Sequence, residues 1–258
     1  MSNETVAITR VANSCVLLEI GGHVVLTDPF FTERWYVRRG EPLGIAAGEL
    51  PPLTAIVVSN PYLNHWDLRG LRTYRHPRER TPVYTSSPRM ARRARALGYA
   101  PAAHLPWGRV VRPAPGLVLH SVGAGRNLGQ RQNAYVIEGG GFRVFFGGEI
   151  QDPSLVARYR EEHGPVDIAL LPVNGLRPIV GPPIVMGPAE AVAGAKALGA
   201  GVLVPVHDAM GDEPFSRLLR RHGSGADART LARADPHGPE VVCLGPGERR
   251  EFTRRGRW

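Results

Sequence analysis

Short apolar runs in this chain repeatedly stop at a knot of polar side chains, and that recurrence constrains the fold more than any other feature. Thr54 to Val58 leads into Asn60 to Asp67 (NPYLNHWD), and FRVFF leads into Gly147 to Asp152 (GGEIQD). Ile168 to Pro172 leads into Asn174 to Arg177 (NGLR), and Val202 to Val206 into His207 and Asp208. Short unbroken apolar runs read as strands covered on both faces, which calls for layers on either side of a sheet. Polar groups at the ends of such strands gather on one rim, where α/β folds keep their sites.

The rest of the chain fits that plan. Thr5 to Arg10, Cys15 to Ile20 and His23 to Thr27 read as strands, with Gly21-Gly22 as a hairpin turn and Asp28-Pro29 ending the third. Val83 to Thr85, Gly116 to Ser121, Asn133 to Glu138 and Phe142 to Phe146 are further strands, and Glu240 to Leu244 with Arg249 to Thr253 are expected to make the last pair. Leu68 to Tyr74 reads as a helical turn. Helices are expected at Pro88 to Leu97 and at Pro188 to Leu198, each closed by a glycine. No polar linker divides the chain, so residues 1–258 read as one α/β domain with two β-layers flanked by helices.

Charge raises a different possibility. A formal net charge of +9 invites nucleic acid or anionic lipid as a partner. Lys196 is the only lysine, however, and no nucleic-acid reader motif accompanies the arginines. The densest basic run, Arg89 to Arg95, reads as the solvated side of one helix. Neither a nucleic-acid nor a membrane partner is therefore expected. The opening MSNETVAITR lacks a basic-then-apolar leader pattern, and Cys15 and Cys243 match no paired-cysteine motif, so a cytoplasmic location with reduced thiols is expected. A homo-oligomer stays open.

The motifs together resemble the metallo-β-lactamase fold, in the branch similar to ascorbate-6-phosphate lactonase and N-acyl phosphatidylethanolamine phospholipase D. ITRVANSCVLLEIGGHVVLTDPFF is similar to that branch's opening, and VVSNPYLNHWD stands where it has Ser-His-x-His-x-Asp-His-x-Asp. FRVFFGGEI stands where it has a strand and Gly-Asp, and LLPVNG with MGPAEAVAGAKALGAGVLVPVHD resembles its closing helix, strand and histidine. The resemblance implies an αββα sandwich of two mixed sheets. It also implies a two-zinc centre whose bridging hydroxide, available near pH 7, hydrolyses esters, lactones or phosphodiesters.

Laid on that signature, the ligand positions differ. Asn60 and Tyr62 occupy the first histidine pair, and Asn64 replaces an aspartate, while His65 and Asp67 are retained. Glu149 stands for the bridging aspartate, Val122 falls nearest the next histidine position with His120 two residues away, and His207 keeps the last position. Amide and phenol oxygens are poor zinc ligands beside imidazole and carboxylate, so two zinc ions are not expected. His65, Glu149 and His207 suffice for one zinc or iron ion, or for acid/base chemistry with none; both remain open. The expected catalytic set is His65, Glu149, His207 and Tyr62. Asn60, Asn64, Arg126, Asn174 and Arg177 are expected to bind substrate.

The function that follows is an enzyme acting on a small molecule. It would cleave an ester- or lactone-like bond, or carry out an elimination, isomerisation or cyclisation within a biosynthetic pathway. The alternative is a non-catalytic ligand-binding or regulatory protein on a dead hydrolase scaffold, its pocket collapsed around Tyr62 and Trp66. For the enzyme, Glu149→Gln is expected to cut turnover while leaving the melting temperature nearly unchanged.

Overall fold

The computed structural model describes residues 5–127, 129–212 and 214–253. The first sheet contains β1 (Thr5–Ala12), β2 (Cys15–Ile20), β3 (His23–Thr27), β4 (Ala55–Val58), β5 (Val83–Thr85) and β6 (Ala102–His104) in chain order. The helix α1 (Pro88–Ala96) lies between the last two in sequence. The second sheet begins with β7 (Val110–Ala114), β8 (Leu117–Asn127), β9 (Gln130–Gly139) and β10 (Phe142–Phe146). After α2 (Pro153–His163) it continues with β11 (Ile168–Pro172). There follow β12 (Arg177–Pro178), α3 (Pro188–Leu198), β13 (Val202–Val206), β14 (Leu219–Arg220), α4 (Gly225–Ala234), β15 (Glu240–Val241) and β16 (Arg249–Thr253). Spatial order is β16-β1-β2-β3-β4-β5-β6 in one sheet and β15-β13-β11-β10-β9-β8-β7 in the other, with β12 and β14 as a separate small ladder.

Period-two geometry divides each strand between two interiors. Val144 and Phe146 join Val6, Ile8, Leu18 and Val57 in the core between the sheets. Phe145, Ala169, Leu171 and Leu203 face the other way, onto Val156 and Tyr159 of α2, Ala195 and Leu198 of α3, and Ala228 of α4. The outer face of the first sheet packs Leu26, Ile56 and Val58 on Met90 and Ala94 of α1. The order helix, sheet, sheet, helix is the αββα sandwich that the sequence suggests, and both sheets mix parallel with antiparallel pairs.

Local chemistry explains the helix ends. Ser87 accepts a hydrogen bond from the Met90 amide and Pro88 opens α1, whose arginines stay on the wet side as expected. Gly199 closes α3 in the left-handed conformation. Two helices were not anticipated: α2 begins at Asp152-Pro153, where the aspartate caps the Ser154 amide, and α4 is capped by Ser224. A second difference concerns the C-terminal strands. Rather than pairing with each other, β15 joins β13 in one sheet and β16 joins β1 in the other. Gly245 to Glu248 crosses between the layers instead of forming a hairpin, with Gly247 bonded to the Arg10 carbonyl. Among the described residues, no helix is long and apolar enough to cross a membrane.

Candidate functional site

β3 runs parallel to β4, and β10, β11 and β13 run parallel to one another, so their C-terminal ends deliver side chains to a common rim. Asp28 follows β3, Ser59 to Asp67 follow β4, Glu149 follows β10, Asn174 follows β11 and His207 follows β13. Three non-glycine residues among those described have positive φ, namely Asn13 (53°), Asp28 (34°) and His207 (52°). All three sit at this rim, where backbone strain is tolerated because neighbouring bonds hold it. Gly148 completes the packing: its φ is 59°, and a Cβ there would lie 2.5 Å from the Cβ of Ser59. Gly148→Ala is therefore expected to cost about 1–3 kcal/mol, readable as a lower chemical-denaturation midpoint; an unchanged midpoint would show that the two strand ends are not so tightly apposed.

At the centre lies a hydrogen-bonded chain of charges. Asp28 accepts from the Ser59 amide (2.7 Å) and hydroxyl (2.6 Å), and from His65 Nδ1 at 2.6 Å. The other nitrogen of His65, Nε2, lies 3.0 Å from Glu149 Oε1, and His207 Nε2 lies 3.4 Å from the same oxygen. Carboxylate oxygens only accept, so both His65 nitrogens carry hydrogen and the ring is an imidazolium held between two carboxylates. Burial alone would push the His65 pKa down; Glu149 and then Asp28 outweigh it and push it up to about 10. Burial would likewise raise Glu149, yet the two imidazoles hold its carboxyl well below the usual carboxylate range. The rings of His65 and His207 stack with centroids 5.5 Å apart.

Glu149 Oε2 is surrounded differently. Side-chain amides of Gln132 (3.3 Å), Asn127 (3.4 Å) and Asn60 (3.5 Å) point their NH2 groups at it. The orientation of two of these amides is fixed by backbone: Asn60 Oδ1 accepts from the Tyr62 N–H, and Asn127 Nδ2 donates to the Ile184 carbonyl. Tyr62 donates its hydroxyl to the Asn127 carbonyl at 2.7 Å. Burial, with Glu149 nearby, pushes the Tyr62 pKa up to about 12.

Above the cluster opens a cavity of about 460 Å³ walled by apolar groups such as Phe30, Tyr36, Leu176 and Ile184, with Glu149 and His207 reaching its floor. Of the expected site residues, His65, Glu149, His207, Tyr62, Asn60, Asn64 and Asn174 come together here. Arg126 and Arg177 do not. Arg126 is exposed and bonds the Gly129 carbonyl, and Arg177 is exposed in the β12–β14 ladder. Arg38 and Arg39 line the cavity instead. Asp67 accepts from the amides of Phe31, Thr32 and Gly70 and thereby shapes the loop after β3. His120 and Val122 line a separate cavity on the outer face, against α2. Trp66 packs in the core beneath the first sheet.

Residues missing from the sequence reading are Asp28, Gln132 and, as a carboxylate partner, Asn127. Asp28 carried a usable signal, being an acidic residue placed directly after a buried strand. Gln132 carried none, since a glutamine near a strand start is commonplace.

Ligand atoms of His65, Glu149 and His207 all lie within 4.8 Å of one another, and these three residues could hold a metal ion. An αββα sandwich with such a trio at the strand ends agrees with the class of protein that the sequence resembles, the metallo-β-lactamase fold. Residues 23–207 match the Beta-lactamase superfamily domain, and the chain belongs to that family. It is 26% identical to a metal-dependent hydrolase of Opitutus terrae across 93% of this chain and 97% of that protein. An uncharacterized protein of Mycobacterium tuberculosis is 27% identical across 96% of this chain and 69% of its own length. Among solved structures, the fold is shared with a possible metal-dependent hydrolase from Veillonella parvula (TM-score 0.76, 16% identity, 95% of this chain and 98% of that one). It is shared also with isothiocyanate hydrolase from Delia radicum gut bacteria (TM-score 0.74, 17% identity, 96% and 99%).

Proposed function

We propose that this chain is an enzyme that works on a small, largely apolar molecule by acid/base chemistry, without the two-metal hydroxide implied by the family resemblance. The observation that carries this reading is the saturation of Glu149. Its carboxylate faces two imidazoles on one oxygen and three amide NH2 groups on the other. A bridging carboxylate would give each oxygen to a cation. Here neutral N–H donors stand on the side that Asn60 and Tyr62 occupy, and they offer no lone pair to a metal. The residues present do not fit a dinuclear centre.

The roles follow from the charges. Glu149, held strongly ionised, is a poor proton acceptor; it orients His65 and His207 and places negative charge at the cavity floor. His207 reaches the cavity and can exchange a proton with a bound molecule, and Tyr62, its hydroxyl held by the Asn127 carbonyl, lines the same cavity. Asn64 and Asn174 bracket His207. Acid/base steps of this kind serve an elimination, isomerisation or cyclisation as readily as cleavage of an ester- or lactone-like bond. The open cavity supports this reading over a collapsed, non-catalytic scaffold.

Elemental analysis of protein purified without added metal is the direct test. Well under two equivalents of zinc are expected, and turnover, once a substrate is found by screening lactones and esters of cavity size, should persist after chelation. Two tightly held equivalents would overturn the reading.

A further inference from the structure

We infer that Asn174 locks His207 in the tautomer protonated on Nε2, so that this rim turns a divalent metal away from His207 and presents a proton there instead. The inference deepens the proposed function and rests on the rim being the working site. It begins with an amide whose two ends are fixed independently. Asn174 is fully buried; its Oδ1 accepts from the Leu176 amide at 3.2 Å, and its Nδ2 donates to the Ala209 carbonyl at 3.3 Å. A backbone N–H can only donate and a carbonyl can only accept, so reversing this amide would set both bonds against themselves. The end that faces His207 Nδ1, 2.9 Å away, is therefore the NH2 group.

An N–H pointed at Nδ1 requires a lone pair on Nδ1. Neutral imidazole carries one hydrogen, which leaves it on Nε2. There it faces Glu149 Oε1 at 3.4 Å, an oxygen able to accept it. The Asn64 amide lies 3.5 Å from the same nitrogen, but among the described residues no backbone bond fixes its orientation, so it can turn its oxygen toward that hydrogen. A histidine that ligates a metal through Nε2 needs the opposite arrangement, with Nδ1–H given to an acceptor. His65 has that arrangement, because Asp28 waits at its Nδ1. His207 lacks it.

Metal binding at His207 would need one of two costly changes. Either Nδ1–H confronts an NH2 group, donor against donor, or the amide turns and forfeits both backbone bonds. The His207 backbone is held as well, since its amide donates to the Asn13 carbonyl at 3.2 Å, so the residue cannot shift as a whole without breaking that bond. Asn174 is thus a positioning residue: it decides which nitrogen of His207 holds the proton at the cavity floor.

Long-range ¹H–¹⁵N correlation spectroscopy on histidine-labelled protein reads the tautomer without turnover, with His207→Gln assigning the signal. At about pH 8, where an imidazole is ordinarily neutral, His207 should show a protonated Nε2 and an unprotonated Nδ1. A proton on Nδ1, or on both nitrogens, overturns the inference. Asn174→Asp places an acceptor at Nδ1; it should move the proton there and raise affinity for Zn²⁺, by calorimetric titration, at least about tenfold over wild type. Wild-type affinity equal to or above that of the variant would also overturn it. If the variant does not fold, the wild-type spectrum alone decides. A protein that shows the Nε2–H form but turns over no substrate would retain the inference and sink the enzymatic reading.

Discussion

Glu149→Gln should lower the melting temperature on the order of 10 °C, because it breaks a buried ion cluster, an effect of about 3–5 kcal/mol. Every group around the Glu149 carboxylate is a donor: the imidazoles of His65 and His207, and the amides of Asn60, Asn127 and Gln132. A glutamine has one accepting oxygen and one NH2 group. Whichever way it turns, its NH2 meets donors, and the His65 imidazolium keeps Asp28 as its one anionic partner in the cluster. The sequence-based expectation of an almost unchanged melting temperature thus does not survive the geometry. Turnover should also fall at least roughly tenfold, because His207 loses its orienting charge. Thermal unfolding by circular dichroism measures the first effect. A melting curve that overlays the wild type would show that the carboxylate is not ion-paired.

The second large effect is a dependence of stability on pH set by His65. Its folded pKa, pushed up to about 10, lies above the ordinary value of 6.5 that applies when unfolded. A raised pKa means that the folded state binds the proton more tightly. The stabilisation is therefore fully present below about pH 6.5 and is lost progressively as pH rises toward 10, a change on the order of a few kcal/mol. Glu149 acts in the opposite sense. Its pKa is depressed below the ordinary 4.5, so its contribution is present above that value and is lost as pH falls. Stability should peak between roughly pH 5 and 6.5. Urea midpoints measured from pH 5 to 10 should decline on the alkaline side, and His65→Gln, though less stable throughout, should flatten that decline. An equally steep slope in the variant would place the titrating group elsewhere.

The two β-layers flanked by helices, the two rim histidines and the carboxylate after β10 were legible in the residues themselves. Each histidine and the carboxylate stands in a polar segment that follows an apolar run, and a strand's end is a local property that composition and period reveal. The caps of α1 and α3 were legible for the same reason, since a serine, proline or glycine acts within a few residues of itself. Other features depend on distant neighbours. No local signal says that Gln132, at the start of a long antiparallel strand, will place its amide on Glu149. None says that β15 and β16 part company into different sheets. The arginines illustrate the opposite error: Arg126 and Arg177 stood beside suggestive motifs, yet both side chains are exposed and outside the cavity.

The sequence by itself determined which residue types stand at the rim, neutral amides among them. It also determined the layers, because alternation along each strand dictates two buried faces. Only the tertiary structure decided what those neutral groups do. Amides are ambivalent, offering a donor at one end and an acceptor at the other, and their chemistry depends on which backbone atoms hold each end. Leu176 and Ala209 settle that for Asn174, Tyr62 settles it for Asn60 and Ile184 for Asn127. Hydrogen-bond direction is a property of the folded neighbourhood, and at this rim it aims amide NH2 groups at Glu149 and His207.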